Sequence, residues 1–219
     1  MLAIIPARIG SEGVKDKNWR DFCGKNLVEH AAAFAREMSC PRIVVTTNCG
    51  GVLLPPDVEY LHSEIHDPEA LAKDVWRDAL VRLGVKSGLT CYLEPTSPFR
   101  NRDDFRRCEA ALENDPWYQM AATVSPAAPP QKLLQMGVQD GHRVPLGDLT
   151  NRPRQGMGRH YRRNGAVYMA CVEHILSGHM MEARCCPIVS RGIRINIDTE
   201  DDWLMAELLW RHQHASPGI

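Results

Sequence analysis

Three stretches of this sequence hold side chains whose types and spacing suit the handling of anions. The first is Pro6-Ala7-Arg8-Ile9-Gly10-Ser11-Glu12-Gly13, running on to Lys15, Lys17 and Asn18. Its two glycines let backbone N–H groups approach a phosphate, and Arg8 and Lys17 supply charge. It holds neither the GxxxxGK[ST] pattern of a P-loop nor the GxGxxG of a dinucleotide fold. The second, Glu94-Pro95-Thr96-Ser97-Pro98-Phe99-Arg100, is stiffened by two prolines and leaves its polar side chains poised. In the third, Ile193–Glu200, Asn196 and Asp198 stand two residues apart, on one face if the segment is a strand. Two oxygen ligands there would suit Mg²⁺, which takes few protein ligands and keeps its waters. A fourth feature is the cluster Arg152, Arg154, Arg159, Arg162 and Arg163, able to grip a carboxylate or phosphate bidentately. Each has a plainer reading beside it. These are a solvated turn, a rigid turn capping a helix, a cap of the last helix by Asp198 or Thr199, and a basic solvated face. Their joint occurrence in one chain is what favours a site.

The elements that must position these residues alternate strand and helix, which argues for an α/β fold with a mainly parallel sheet. Apolar runs predict strands at Leu2–Pro6, Arg42–Thr47, Val58–Leu61, Leu89–Leu93 and Gln119–Val124, and later at Asn164–Ala170 and Ile193–Ile197. Helical spacing predicts Asn26–Met38, Asp67–Leu83, Asp103–Leu112 and Glu200–Trp210. In the second of these, Pro68 suits the first turn, and Leu71, Val75, Ala79 and Leu83 mark the buried face. Each anion-handling loop thus follows a strand, where open α/β sheets bind ligands. The Pro-rich Ser125–Pro130 leaves the sheet, and Asp140-Gly141 is a hairpin turn between two short segments of Lys132–Val144. One domain over 1–219, with an inserted segment around 126–160, is the expected organisation.

At 219 residues the chain can bury a core without disulfides or structural metal. With 26 Lys+Arg against 27 Asp+Glu there is no basic excess for nucleic acid. No run approaches the roughly 18 apolar residues of a membrane span, and Met1–Gly10 lacks a charged n-region. The expected location is the cytoplasm, with no membrane partner. The eight cysteines form no CxxC pair, so free thiols in a reducing compartment are expected. The adjacent Cys185 and Cys186 are given no role.

The motifs together resemble those of the acylneuraminate cytidylyltransferases, the CMP-sialic acid synthetases and their bacterial relatives. Ile4-Ile5-Pro6-Ala7-Arg8-x-Gly10-Ser11-x-Gly13 with Lys17-Asn18 is similar to their opening motif. Glu94–Arg100 is similar to (Q)PTSP(L)R. Pro153-Arg154-Gln155 with Arg162-x-Asn164-Gly165-Ala166-Val167-Tyr168 resembles PRQ…RxNGAIYI, and Ile197–Glu200 resembles the end of IDIDTE. The order and spacing are the family's, over essentially the whole chain. The resemblance implies a Rossmann-like nucleotidyltransferase fold and transfer of CMP from CTP to an anionic acid, with pyrophosphate released. The implied acceptor is a nonulosonic acid such as sialic, legionaminic or pseudaminic acid; a 3-deoxy-octulosonate or a phosphonate is the alternative. By position, Arg8, Lys17 and Asp198 would be catalytic. Ala7, Arg8, Gly10, Ser11, Lys15, Lys17, Asn18, Glu94, Thr96 and Ser97 would hold the nucleotide. Lys132, Arg154, Gln155, Arg162, Asn164 and Tyr168 would line the acid pocket, and Asp198 with Asn196 would hold Mg²⁺. The inserted segment implies a homodimer.

Several motif positions depart from the family pattern. Glu12 stands for a Lys, with Lys15 in place of a Pro as a compensating charge. Glu94 stands for a Gln at the base, where a carboxylate still accepts from the cytosine amine. Asn196 and Asn48 each stand for an Asp, and the loop at His62-Ser63-Glu64 lacks an Arg-Pro pairing. These changes favour a different acid substrate or a catalytically silent binding homologue over an ordinary sialic acid enzyme.

Overall fold

A computed structural model describes residues 1–10, 13–65, 67, 70–128, 135–139, 142–146, 159–181 and 184–214, the segments 135–139 and 142–146 by backbone only. In chain order the elements are β1 (Leu2–Pro6), β2 (Asp21–Phe22), β3 (Lys25–Asn26), α1 (Leu27–Glu37), β4 (Arg42–Thr47), β5 (Glu59–His62), α2 (Ala72–Arg82) and β6 (Leu89–Tyr92). There follow α3 (Arg102–Asn114), β7 (Met120–Ala127), β8 (Gln135–Gln139), β9 (His142–Leu146), β10 (His160–Cys171), α4 (Val172–Leu176), β11 (Cys185–Val189) and α5 (Glu200–His214).

Seven strands form one sheet in the order β11-β7-β10-β6-β1-β4-β5. Only β10 runs against its neighbours in it, so the sheet is mainly parallel, as the sequence pattern predicts. The order reverses at β1, with β4 on one side and β6 on the other. That switch point opens a crevice at the strands' carboxyl ends.

Alternation along the central strands feeds two cores. Ala3, Ile5, Ile43, Val45, Cys91 and Leu93 join Val28, Ala31 and Phe105 on one face. Leu2, Ile4, Val44 and Tyr92 join Trp76 and Leu80 on the other. Strands buried on both faces carry unbroken apolar runs, which is why β1 and β4 read so clearly. A third cluster of Val14, Phe22, Leu27, Ile197, Trp203 and Ala206 ties the loop after β1 to the segment before α5. Helix α1 starts where Asn26 and Glu29 form a reciprocal capping box.

Four expectations need correction. The second helix begins at Ala72, not Asp67, with Leu71 at its N-cap making no side-chain cap bond. Its fully buried face is Trp76, Ala79 and Leu80, while Leu71 is 57% exposed. Trp76 sets that face, stacking on Tyr92 at 5.2 Å with its Nε1 donating to Thr90 Oγ1. Ile193–Ile197 forms no strand. The sheet edge beside β7 is filled instead by β11, which its Cys-Cys-Pro sequence conceals. Strand β10 starts at His160 rather than Asn164, and the last helix continues past Trp210 to His214. The hairpin expected about Asp140-Gly141 has its arms in β8 and β9, paired antiparallel, the turn itself lying outside the described residues. Where β7 and β10 leave the sheet, Ala127 faces His160 across the base of the expected insertion. All eight cysteines are free thiols.

Candidate active site

Beyond β1 the chain turns beneath β4. The Ala7 N–H donates to the Thr46 carbonyl at 2.8 Å, and Thr47 Oγ1 donates to the Ala7 carbonyl at 2.6 Å. Asn18 Nδ2 bridges back to the Arg8 carbonyl, while its Oδ1 is buried with no hydrogen-bond partner among the described residues. Asn48 accepts from the Ile9 N–H. The loop then meets the last one. Lys17 Nζ lies 2.9 Å from both the Ile197 carbonyl and Asp198 Oδ1, and this cation is far more buried than its carboxylate (16% against 62% side-chain exposure). Gly13 lies so close that a Cβ there would stand 2.0 Å from the Asp198 carbonyl oxygen.

The loop after β6 is braced from behind. Arg100 Nε donates to the Ala166 carbonyl and its Nη2 to that of Glu94. Burial pulls the guanidinium pKa down to about 10, against the opposing charge of Glu94. Glu94 Oε2 sits over Gly165, where a Cβ would be 2.2 Å away, in a left-handed turn (φ +70°) at the bulge in β10. Burial raises the Glu94 pKa, opposed by Arg100 and Arg163, with Asp198 pushing it further up. Burial likewise pushes up the Tyr168 phenol.

In the last loop the capping reading holds, at Thr199. Thr199 caps α5: its hydroxyl accepts from the Asp202 N–H, and Asp202 Oδ2 accepts from the N–H groups of Asp198 and Thr199. The Asp198 carboxylate takes no part in this cap and faces Lys17 and Asn196 instead. Asn196 Nδ2 donates to Asp198 Oδ2 at 2.5 Å, and its Oδ1 accepts from Thr96 Oγ1 (2.7 Å) and Ser97 Oγ (3.1 Å). An amide orients so, because the carboxylate requires a donor facing it.

Two cavities adjoin here. One, about 820 Å³, lies at the switch point between β1, β4 and β6, walled by Ala7, Arg8, Lys17, Asn18, Thr46, Glu94 and Thr96. The other, about 990 Å³, is walled by Arg162, Arg163, Asn164, Tyr168, Met180 and Arg194. Glu94, Asn196 and Asp198 belong to both. Of the expected residues, Gly10, Lys15 and Ser97 line neither of these two. The Ser97 hydroxyl is buried and also reaches the Asn164 carbonyl. The Asn164 side chain ties Thr123, Ser125 and Ser190 together. Ser11, Lys132, Arg154 and Gln155 lie outside the described residues. Sequence reasoning missed Arg194, Lys73 and Thr46. The alternation in Ile193–Ile197 directed attention to Asn196 and Asp198 and away from the arginine two positions earlier.

Mg²⁺ fits part of the expected pair. Asp198 is a carboxylate at the seam of the cavities, the donor that an ion bringing phosphate and water ligands needs. Asn196 does not fit as it stands, since its oxygen is taken by two hydroxyls and its N–H groups face Asp198. Among the described residues, no group of three or more His, Cys, Asp or Glu could hold a metal ion.

Residues 2–49 match a family model described as cytidylyltransferase. The chain is 28% identical to CMP-N,N'-diacetyllegionaminic acid synthase of Legionella pneumophila, over 95% of each chain. It is 27% identical to N-acylneuraminate cytidylyltransferase of Escherichia coli, over 94% of this chain and 51% of that protein. Among solved structures, a CMP:2-keto-3-deoxy-manno-octonic acid synthetase complexed with CTP superposes with a TM-score of 0.67. It is 14% identical, over 97% of this chain and 98% of that one, a likeness of fold. The resemblance read from the motifs is borne out, as is the nucleotidyltransferase fold.

Proposed function

We infer that this chain, similar to cytidylyltransferases along almost its whole length, is a CTP-dependent nucleotidyltransferase that passes CMP to an anionic acid. A nonulosonic acid is the leading acceptor class. The observation that carries the reading is the shared wall of Glu94, Asn196 and Asp198 between two cavities of ligand size. A two-substrate transfer needs such a seam. CTP fills the cavity at the switch point and the acid fills the other, so that the acid's hydroxyl oxygen lies against the α-phosphate.

The step forms one O–P bond and breaks one. The acceptor oxygen attacks the α-phosphorus, its proton passes to solvent, and the bond to the β-phosphate oxygen breaks with its electron pair leaving on pyrophosphate. Arg8 and Lys17 offset the charge that grows on the phosphates. The backbone at Ala7, with Ser11 and Asn18, seats the triphosphate, while Glu94 and Thr96 border base and ribose. Ser97 and Asn164 act by holding Asn196 and the β10 bulge in place. Arg162, Tyr168 and, from the insertion, Lys132, Arg154 and Gln155 serve the acid. Mg²⁺, when bound at Asp198, supplies further positive charge to the phosphates. The segment 126–160 provides the contact of a homodimer, and the location is the cytoplasm. No helix among the described residues is long and apolar enough to cross a membrane.

The test measures melting temperature with CTP, UTP, ATP and GTP, each with and without Mg²⁺, followed by pyrophosphate release with a panel of acids. A ligand at a hundred times its Kd stabilises by about 2.7 kcal/mol, or roughly 5–10 °C at this size. CTP alone should give that shift. No shift with any nucleotide refutes the reading. A CTP shift without turnover on any acid points to the silent homologue that the engaged Asn196 oxygen allows.

A further inference from the structure

The cavity assigned to the acid holds more positive charge than one carboxylate can use. Arg162 and Arg163 reach it from β10, Arg194 from the loop before α5, and Lys73 from α2. None of the three guanidiniums makes an ion pair with an acidic side chain among the described residues. The ion pairs found there involve other arginines, or Lys17. Arg194 Nε is moreover buried without a hydrogen-bond partner there. An unmet guanidinium N–H away from water costs stability unless a ligand meets it.

The acidic side chains on the same wall do not cancel this charge. Asp198 is held by Lys17 and Asn196, and Asp202 by the α5 cap. Burial biases Glu94 toward its neutral form. One carboxylate engages one guanidinium fork bidentately, which leaves the others unmet. The cavity has room for more, since about 990 Å³ is at the upper end for a small-molecule site.

We propose that the acceptor carries, besides its carboxylate, a second anionic group of phosphate or phosphonate type, held by Arg194 in the cavity that Arg162 and Arg163 also line. This rests on the reading that CMP passes to an acid, and it narrows the acceptor class. A tetrahedral dianion has acceptor oxygens enough for more than one arginine fork, so Arg194 can hold it while another arginine of the cavity meets the carboxylate.

Calorimetry on the full chain decides it. The probes are N-acetylneuraminate against its 9-phosphate and 3-deoxy-octulosonate against its 8-phosphate, titrated alone and with saturating CTP in the absence of Mg²⁺. In at least one pair the phosphorylated acid should bind ten-fold or more tightly. Arg194→Ala should bring that ratio below three while CTP affinity stays within three-fold. Arg194→Gln, which keeps an N–H donor at the buried position, reads the same loss if the alanine variant does not fold. Equal binding within both pairs, or no binding of any of the four acids, overturns the proposal. So does a loss of CTP affinity in Arg194→Ala as large as the loss for the acid, since the guanidinium then serves the triphosphate. If wild type binds no CTP, the cytidylyl reading fails, while the acid titrations without nucleotide still decide the question of the second anion.

Discussion

Replacing Gly13 by alanine puts a methyl group where a hydrogen stood, at a place where the fold leaves no room for it. The Cβ would stand 2.0 Å from the Asp198 carbonyl oxygen, and an ordinary contact begins near 3.4 Å. The obstructing atom is backbone, so no side chain can swing away. The loop carrying Lys17 and the loop carrying Asp198 must part by about 1.4 Å. Overpacking of this kind costs about 1–3 kcal/mol. For a chain of this size that lowers Tm by roughly 3–10 °C, leaving a folded protein at 25 °C. The effect on turnover is larger, because a misplacement of about 1 Å at a reacting centre costs about 100-fold. Steady-state pyrophosphate release should therefore show kcat/KM down by about two orders of magnitude, with Tm only modestly lower. A variant that keeps kcat/KM within three-fold of wild type would refute the argument that this close approach sets the geometry of Lys17 and Asp198.

Three further outcomes follow from the same site. Glu94 has its folded pKa raised by burial, so its contribution favours the fold at low pH and is lost as pH rises through the raised value. Glu94→Gln should raise Tm at pH 7 and leave it nearly unchanged at pH 4; an equal change at both values sinks this assignment. Asn196→Asp sets a second carboxylate where an amide now donates to Asp198, so without metal its Tm should fall, and Mg²⁺ should restore it with a tighter apparent affinity than in wild type. A metal-independent Tm in that variant would show that the seam binds no cation. Thr199→Ala removes the cap of α5 and should cost about 1 kcal/mol, or roughly 2–4 °C in a thermal melt. No change would mean that Asp202 alone holds the helix end.

The legibility of this fold in its sequence follows what each segment must do. Strand β1 is apolar at every buried position and β4 is so from Ile43 to Val45, and α1 opens on a capping box, so periodicity and cap chemistry suffice there. Helix α2 misleads because Asp67-Pro68 has the chemistry of a helix start while Trp76, deep in the core, decides where the helix lies. Ile193–Ile197 alternates like a strand, but the place beside β7 is taken by β11. The anion-handling loops are legible from their residue types. Their meeting is not, because the closeness of Lys17 to Asp198 depends on Phe22, Ile197 and Trp203 packing together. Arg194 carries no pattern of its own, and only its unpaired, buried Nε marks it.

The Lys17–Asp198 pair joins positions 181 apart in the chain. Closing a loop of that length costs entropy before any contact repays it, and such contacts form late in folding. The aromatic cluster beneath the pair includes Trp203, so its last member leaves the ribosome after the whole sheet has been made. A nascent chain can therefore build its parallel core long before the Lys17–Asp198 closure can form. On the proposed function, a half-made chain has its sheet but not the closed site that would hold nucleotide.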